Sequence, residues 1–175
     1  MPTPAETRLE AAYAHAVDVQ SRSDVGLLPP DPASPESIDH LRAFFGYALP
    51  EEYLYFLRRW GSWSGGPVEI FGIFKSDTGE FSSETALAET KNLREGWGGP
   101  DYLLVIHDLG NGDYACIDCR RVEEGEAPVV CWIHDEEPEE EGKHLFYASS
   151  FSEYAATKLV EGVNWLEQAN KDNPA

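Results

Sequence analysis

The stretch YLLVIHDLGNGDYACIDCR, residues 102–120, narrows the possible folds more than any other part of this chain. Two apolar, β-prone runs stand on either side of Asn111 and Gly112, a pair that tolerates positive φ and so predicts a tight hairpin turn. Strands joined this way are antiparallel neighbours, because a parallel pair needs a crossover of a dozen or more residues. PVVCWIH (128–134) and HLFYA (144–148) read as two further strands, and PVEIFGIF (67–74) reads as a strand ahead of the hairpin.

Helical periodicity lies outside this β-rich centre. Leu9, Ala12, Tyr13, Ala16 and Val17 recur at helical spacing and predict an amphipathic helix over Ala5 to Arg22. Pro29, Pro30, Pro32 and Pro35 then form the one convincing linker, which marks the first helix as an appendage docked onto a main body. Ser34 followed by Pro35 is an N-cap with proline at the first helical position; Ile38, Leu41, Phe44 and Phe45 supply the buried face and Gly46 the stop. Leu49 and Pro50 open another helix through Tyr53, Phe56, Leu57 and Trp60, ended by Gly61. Ser82 or Ser83 caps a further one to about Glu95. Ser150 and Glu153 make a capping box for a last helix carrying Phe151, Ala155, Leu159, Val163 and Leu166. Helices that precede and follow the strands, without alternating with them, predict an α+β fold with an antiparallel-rich sheet. The expected division is a helix and linker over 1–33 and a single domain over 34–175.

Charge bears on partners. Thirteen Lys and Arg against 32 Asp and Glu give a net charge of −19. Such a field repels nucleic acid and anionic membrane surfaces and attracts cationic partners. No apolar run reaches the roughly 18 residues of a membrane span, and MPTPAETRLE lacks the basic head and apolar stretch of a secretory signal. Three cysteines cannot all pair within one chain. The expected location is therefore the cytoplasm.

Two sets of residues invite catalytic or metal-binding readings. Cys116 with Cys119 is a CxxC, and Cys131 with His134 a CxxH, which is zinc-like spacing. Both pairs fall in strand-like runs, where residues three apart point to opposite faces, so buried thiols are expected and no metal. His107, Asp108, Asp113 and Asp118 would be the residues of a metal-dependent hydrolase, yet no nucleophile elbow, HExxH or phosphate-cradling loop accompanies them. No catalytic residue and no cofactor is expected. Trp63 and Trp97, each beside glycines, are candidate exposed anchors for a protein partner, with loop tryptophans folded back onto the core as the alternative reading.

The order of these segments resembles the SUKH superfamily. IDHLRAFFGYALPEEYLYFLRRWG (38–61), with Leu49, Pro50, Tyr53, Phe56, Leu57 and Gly61, is similar to its opening helices. EIFGI (69–73), TALAETKNLRE, YLLVIHDLGNGDYACID, PVV with Trp132 and His134, and SSFSEY (149–154) follow in the family's order. The resemblance runs from Ser34 to Glu167. It implies an α+β fold without catalytic residues, and in bacteria an immunity protein that neutralises a cognate polymorphic or contact-dependent toxin, often a nuclease, by direct binding. The alternative it implies is an interaction module of the yeast cell-wall-regulator type. A basic toxin domain would meet clustered carboxylates, so Asp135, Glu136, Glu137, Glu139, Glu140 and Glu141, interrupted only by Pro138, join Trp63 and Trp97 as candidate partner-binding residues.

Overall fold

A computed structural model describes residues 1–23, 31–65, 67–75, 79–80, 82, 85–134 and 144–172. The chain is a mixed α+β fold; the described residues form five α-helices and two antiparallel sheets, with helices before and after the strands. Pro29 and Pro30 of the linker and the carboxylates of 135–141 lie outside the described residues.

The first helix, α1 (Pro4–Arg22), starts at Thr3, whose hydroxyl accepts from the Glu6 N–H while the Glu6 carboxylate accepts from the Thr3 N–H. This reciprocal box satisfies two donors that a helix start leaves unpaired. The buried stripe is Ala5, Leu9, Ala12, Ala16 and Val19, whereas Val17 is exposed. The stripe therefore keeps alternating steps of three and four past Ala16 and passes over Val17. Its partner is the last helix, α5 (Phe151–Asp172). Arg8 near the start of α1 donates to Ser152 Oγ at 2.6 Å, and Arg22 at its end pairs with Glu167 at 2.6 Å. Start meets start and end meets end, so the two helices run parallel.

Helix α2 (Pro35–Phe45) has Ser34 as its cap, with Ser34 Oγ accepting from the Ser37 N–H, and ends at Gly46 in the left-handed region. Helix α3 (Glu51–Arg59) follows, and Gly61 at φ 77° closes it. A side chain at Gly61 would collide with the Asp31 carbonyl, because the incoming chain is bonded there: the Asp31 N–H donates to Trp60 O and that of Ala33 to Leu57 O. Tyr53 and Phe56 of α3 meet Phe151 of α5 at ring separations of 5.0 and 5.2 Å, with Trp60 fully buried beside them. This aromatic cluster is the heart of the core.

Residues 67–74 do not form one core strand. A hairpin of β1 (Trp63–Gly65) and β2 (Val68–Ile70) takes their first half, and the chain then leaves regular pairing. Gly72 explains the change: its Cα lies against the Gly61 carbonyl, closer than any side chain allows. Helix α4 (Ala86–Gly96) is capped by Thr85, which accepts from the Ala88 N–H, and not by the upstream serines.

The main sheet runs in the order β3 (Leu103–Asp108), β4 (Tyr114–Asp118), β5 (Val129–Trp132), β6 (Leu145–Ala148), every pair antiparallel. The β3–β4 turn departs from the sequence expectation. The positive-φ residues are Gly110 and Gly112, not Asn111 with Gly112, and the Leu109 N–H donates to Asp113 O across a wider loop. Asp108 and Asn111 side chains accept from the N–H groups of Gly110 and Asp113 and stabilise it. Strand β4 stops at Asp118, whose carboxylate accepts from the Arg120 N–H and turns Cys119–Arg121 into a single 3-10 turn.

Candidate functional site

Three helix starts converge on one side of the molecule. Thr3 to Glu6 of α1, Glu51 and Glu52 of α3, and Ser149 just before α5 line a groove of about 680 Å³; residues 123–128 and Phe146 of β6 complete it. Glu52 ties these parts together. Its carboxylate, almost fully buried, accepts from the N–H groups of Ser152 at 2.8 Å, Phe151 at 2.9 Å and Ala127 at 3.1 Å. Two of those donors belong to the first turn of α5, where an anion also meets the positive end of the helix. Burial nevertheless pushes the Glu52 carboxyl above its ordinary range, against the lowering effect of these bonds. The Glu52 N–H donates in turn to Gly125 O, which docks the turn 123–126 onto α3. That turn has positive φ at both central residues, Glu124 at 52° and Gly125 at 87°, the primed geometry that suits a tight hairpin.

The groove lining holds Glu6, Glu51, Glu52, Glu123, Glu124 and Glu126 against Arg121 alone. Helix starts and local bonds account for the first three: Glu6 caps α1, Glu51 pairs with Arg58 at 2.7 Å, and Glu52 holds α5. The three carboxylates of the turn make no ion pair among the described residues. They leave this rim with uncompensated negative charge.

The two tryptophans separate. Trp63, 4% exposed, sits in β1 and packs edge-on to Phe56 at 5.1 Å and to Trp60 at 5.1 Å. It is a core residue, which removes it from the candidate surface anchors and leaves the core alternative. Trp97, 52% exposed at the end of α4, lies 6.4 Å from the Trp132 ring and 5.9 Å edge-on from His134. Asp113 holds His134 in place, accepting from its backbone N–H at 3.1 Å and lying 2.9 Å from Nδ1. Those contacts keep the Asp113 carboxyl below its ordinary range, through the His134 side chain first.

The residues of the two catalytic readings are dispersed. His107 is buried with Nδ1 2.8 Å from the Tyr154 hydroxyl. Asp118 makes a two-point pair with Arg120 opposite Leu103, whereas Asp108 faces Tyr114 at the other end of the ladder. Cys116 stands opposite Val105 and Val130, and Cys131 opposite Ala115. Cys119 and His134 are not within strands as expected: each lies just beyond a strand end. Burial pushes the Cys116 and Cys119 thiols up, away from the thiolate that metal binding or nucleophilic attack requires. Among the described residues no cluster of three His, Cys, Asp or Glu side chains is disposed to hold a metal ion, and no helix is long and apolar enough to cross a membrane.

The family model described as SMI1 / KNR4 family (SUKH-1) matches residues 32–157 of the 175. The chain belongs to this family. The SUKH-1 match begins just before α2 and ends inside α5, so α1 lies outside it, as do residues 158–172 of α5. Glu52 and the turn 123–126 fall within it, whereas Thr3 to Glu6, which line one side of the groove, do not.

Sequence reasoning missed Glu52 and the groove. A signal was present, since Glu52 shares a helical stripe with Phe56 and a carboxylate on an apolar stripe demands a partner. What it could not supply was the partners, which lie 75 to 100 residues away.

Proposed function

We propose that this chain is an immunity protein that binds a cognate bacterial toxin domain in the cytoplasm and neutralises it by occupying a basic surface. The observation that carries the reading is the acidic rim at Glu123, Glu124 and Glu126, in a chain of net charge −19. A nuclease-type toxin is cationic where it grips phosphate, and clustered carboxylates both match that surface and accelerate encounter. Membership in the SUKH-1 family supports the reading at family level. A non-catalytic mode is favoured because the side chains of the hydrolase reading have structural partners: His107 meets Tyr154, Asp108 accepts from the Gly110 N–H, Asp113 meets His134 and Asp118 pairs with Arg120.

The test is co-expression of the full chain with the toxin domain encoded beside its gene. The reading expects restored growth and a complex that survives purification. In stopped-flow mixing, the triple variant E123Q/E124Q/E126Q associates about tenfold more slowly at low salt, with a flatter salt dependence. A toxin that kills with the chain present and forms no complex refutes the proposal.

A further inference from the structure

Among the described residues strand β6 is an edge of the main sheet; it is short and its register with β5 shifts between Val129 and Val130, yet its side chains stay apolar and open. Leu145, Phe146 and Tyr147 are 57%, 56% and 40% exposed, so neither face of the strand is covered. Soluble proteins blunt such edges with lysine, proline or a covering element, because unpaired N–H and C=O groups template pairing with another chain. No lysine or proline falls within Leu145 to Ala148, and the side chains of Leu145 and Phe146 stand more than half exposed. The two faces of β6 also differ. Phe146 opens onto the acidic groove, whereas Tyr147 stacks on Tyr154 of α5 at 6.0 Å, its ring nearly parallel.

We infer that β6 is a strand-addition site for an extended, lysine- or arginine-bearing segment of a protein partner, whose basic side chains reach the rim at Glu123, Glu124 and Glu126 beside Phe146. Main-chain bonding along an open edge supplies affinity, and side-chain pockets on alternate residues supply selectivity. Charge decides the occupant. A second copy would bring another chain of −19 and another acidic rim to the same edge, whereas a cationic strand relieves the repulsion already there. The inference rests on the immunity reading for the partner's identity, but not for its chemistry.

The probe is an acetylated, amidated ten-residue peptide of alternating lysine and valine, titrated into the full chain at low salt while amide hydrogen exchange is followed. Exchange at residues 145–148 is expected to slow at least tenfold. The same peptide N-methylated at alternate residues keeps its charge, loses its strand donors, and binds at least tenfold more weakly. A glutamate–valine peptide gives no protection. The double variant L145K/F146K, with an unchanged melting curve, binds the lysine–valine peptide at least tenfold more weakly. Equal binding of the N-methylated peptide, protection confined to 123–127, or self-association of the chain through β6 in sedimentation each overturns the assignment. The two proposals fail separately. Toxin neutralisation unaffected by L145K/F146K removes the edge site and leaves the immunity role, while peptide pairing at β6 without any toxin complex does the reverse.

Discussion

Along β3, the outer edge of the main sheet is closed: the Phe71 N–H donates to Ile106 O, the Val105 N–H donates to Thr90 Oγ1 at 3.0 Å, and five of the six side chains are buried. Along β6, at the opposite edge, three of four side chains stand exposed. Both strands belong to one sheet, so the difference lies in what the rest of the chain lays over them. Helix α4 and the segment after β2 seal the first edge and spend their hydrogen-bonding groups on it. At the second, the start of α5 reaches the strand, where Tyr154 stacks on Tyr147. Under the strand-addition proposal, the closed edge serves stability and the open edge recognition.

The comparison can be broken by mutation, beginning where β6 hands over to α5. Glu52→Ala leaves three buried N–H groups without their acceptor and is expected to cost about 4 kcal/mol in a denaturant titration, with Glu52→Gln losing about half as much. A loss below about 1 kcal/mol for the alanine variant would mean water replaces the carboxylate in the groove. Leu9→Ala tests whether α1 belongs to the same cooperative unit: its fully buried side chain predicts a loss of about 3 kcal/mol. A negligible change would restore α1 to the status of a dispensable appendage.

On the closed edge, Thr90→Val keeps the shape and removes the acceptor for Val105, so a loss of about 1–2 kcal/mol is expected. The pH dependence should be milder. Burial, then Lys158, holds the His107 imidazole below its ordinary value of 6.5, and burial lowers His144 as well. The unfolded chain therefore takes up protons where the folded chain does not, and stability falls as pH drops from 6.5 toward the folded-state values. His107→Gln should flatten that slope in thermal melts across the window; an unchanged slope would assign it to other groups. At the open edge, Leu145→Lys and Phe146→Lys are expected to change stability by less than about 1 kcal/mol, since neither side chain is buried. A larger loss at β6 than at Thr90 would erase the distinction between the edges.

Much of the frame was legible in the sequence because its signals are local. Ser34–Pro35, Gly46 and Gly61 act through the neighbouring backbone, and the four strands of the main sheet declare themselves by composition. The capping box at α5 was nearly right: Ser150 Oγ accepts from the Glu153 N–H, but the Glu153 carboxylate reaches the Ser149 N–H and not that of Ser150. The misreadings are long-range. Gly72 ends a β-prone run because Gly61, eleven residues earlier, occupies the space its side chain would need. Trp63 among glycines looks exposed until Phe56 and Trp60 are folded against it. The openness of β6 had no sequence signature either, since HLFYA reads like any buried strand, and its exposure depends on where the helices stop. The acidic run at 135–141 remains a second candidate beside the rim at 123–126.

Hydrogen exchange of the full chain, alone and in complex with the co-expressed toxin domain, tests the central claim most directly. In the free chain, amides of β3 and β4 should exchange at least a hundredfold more slowly than those of 145–147. In the complex, protection should appear at 145–148 and at 123–127 while β3 is unchanged. Protection confined to the neighbourhood of Trp97, with β6 exchanging as in the free chain, would place recognition elsewhere and contradict the account.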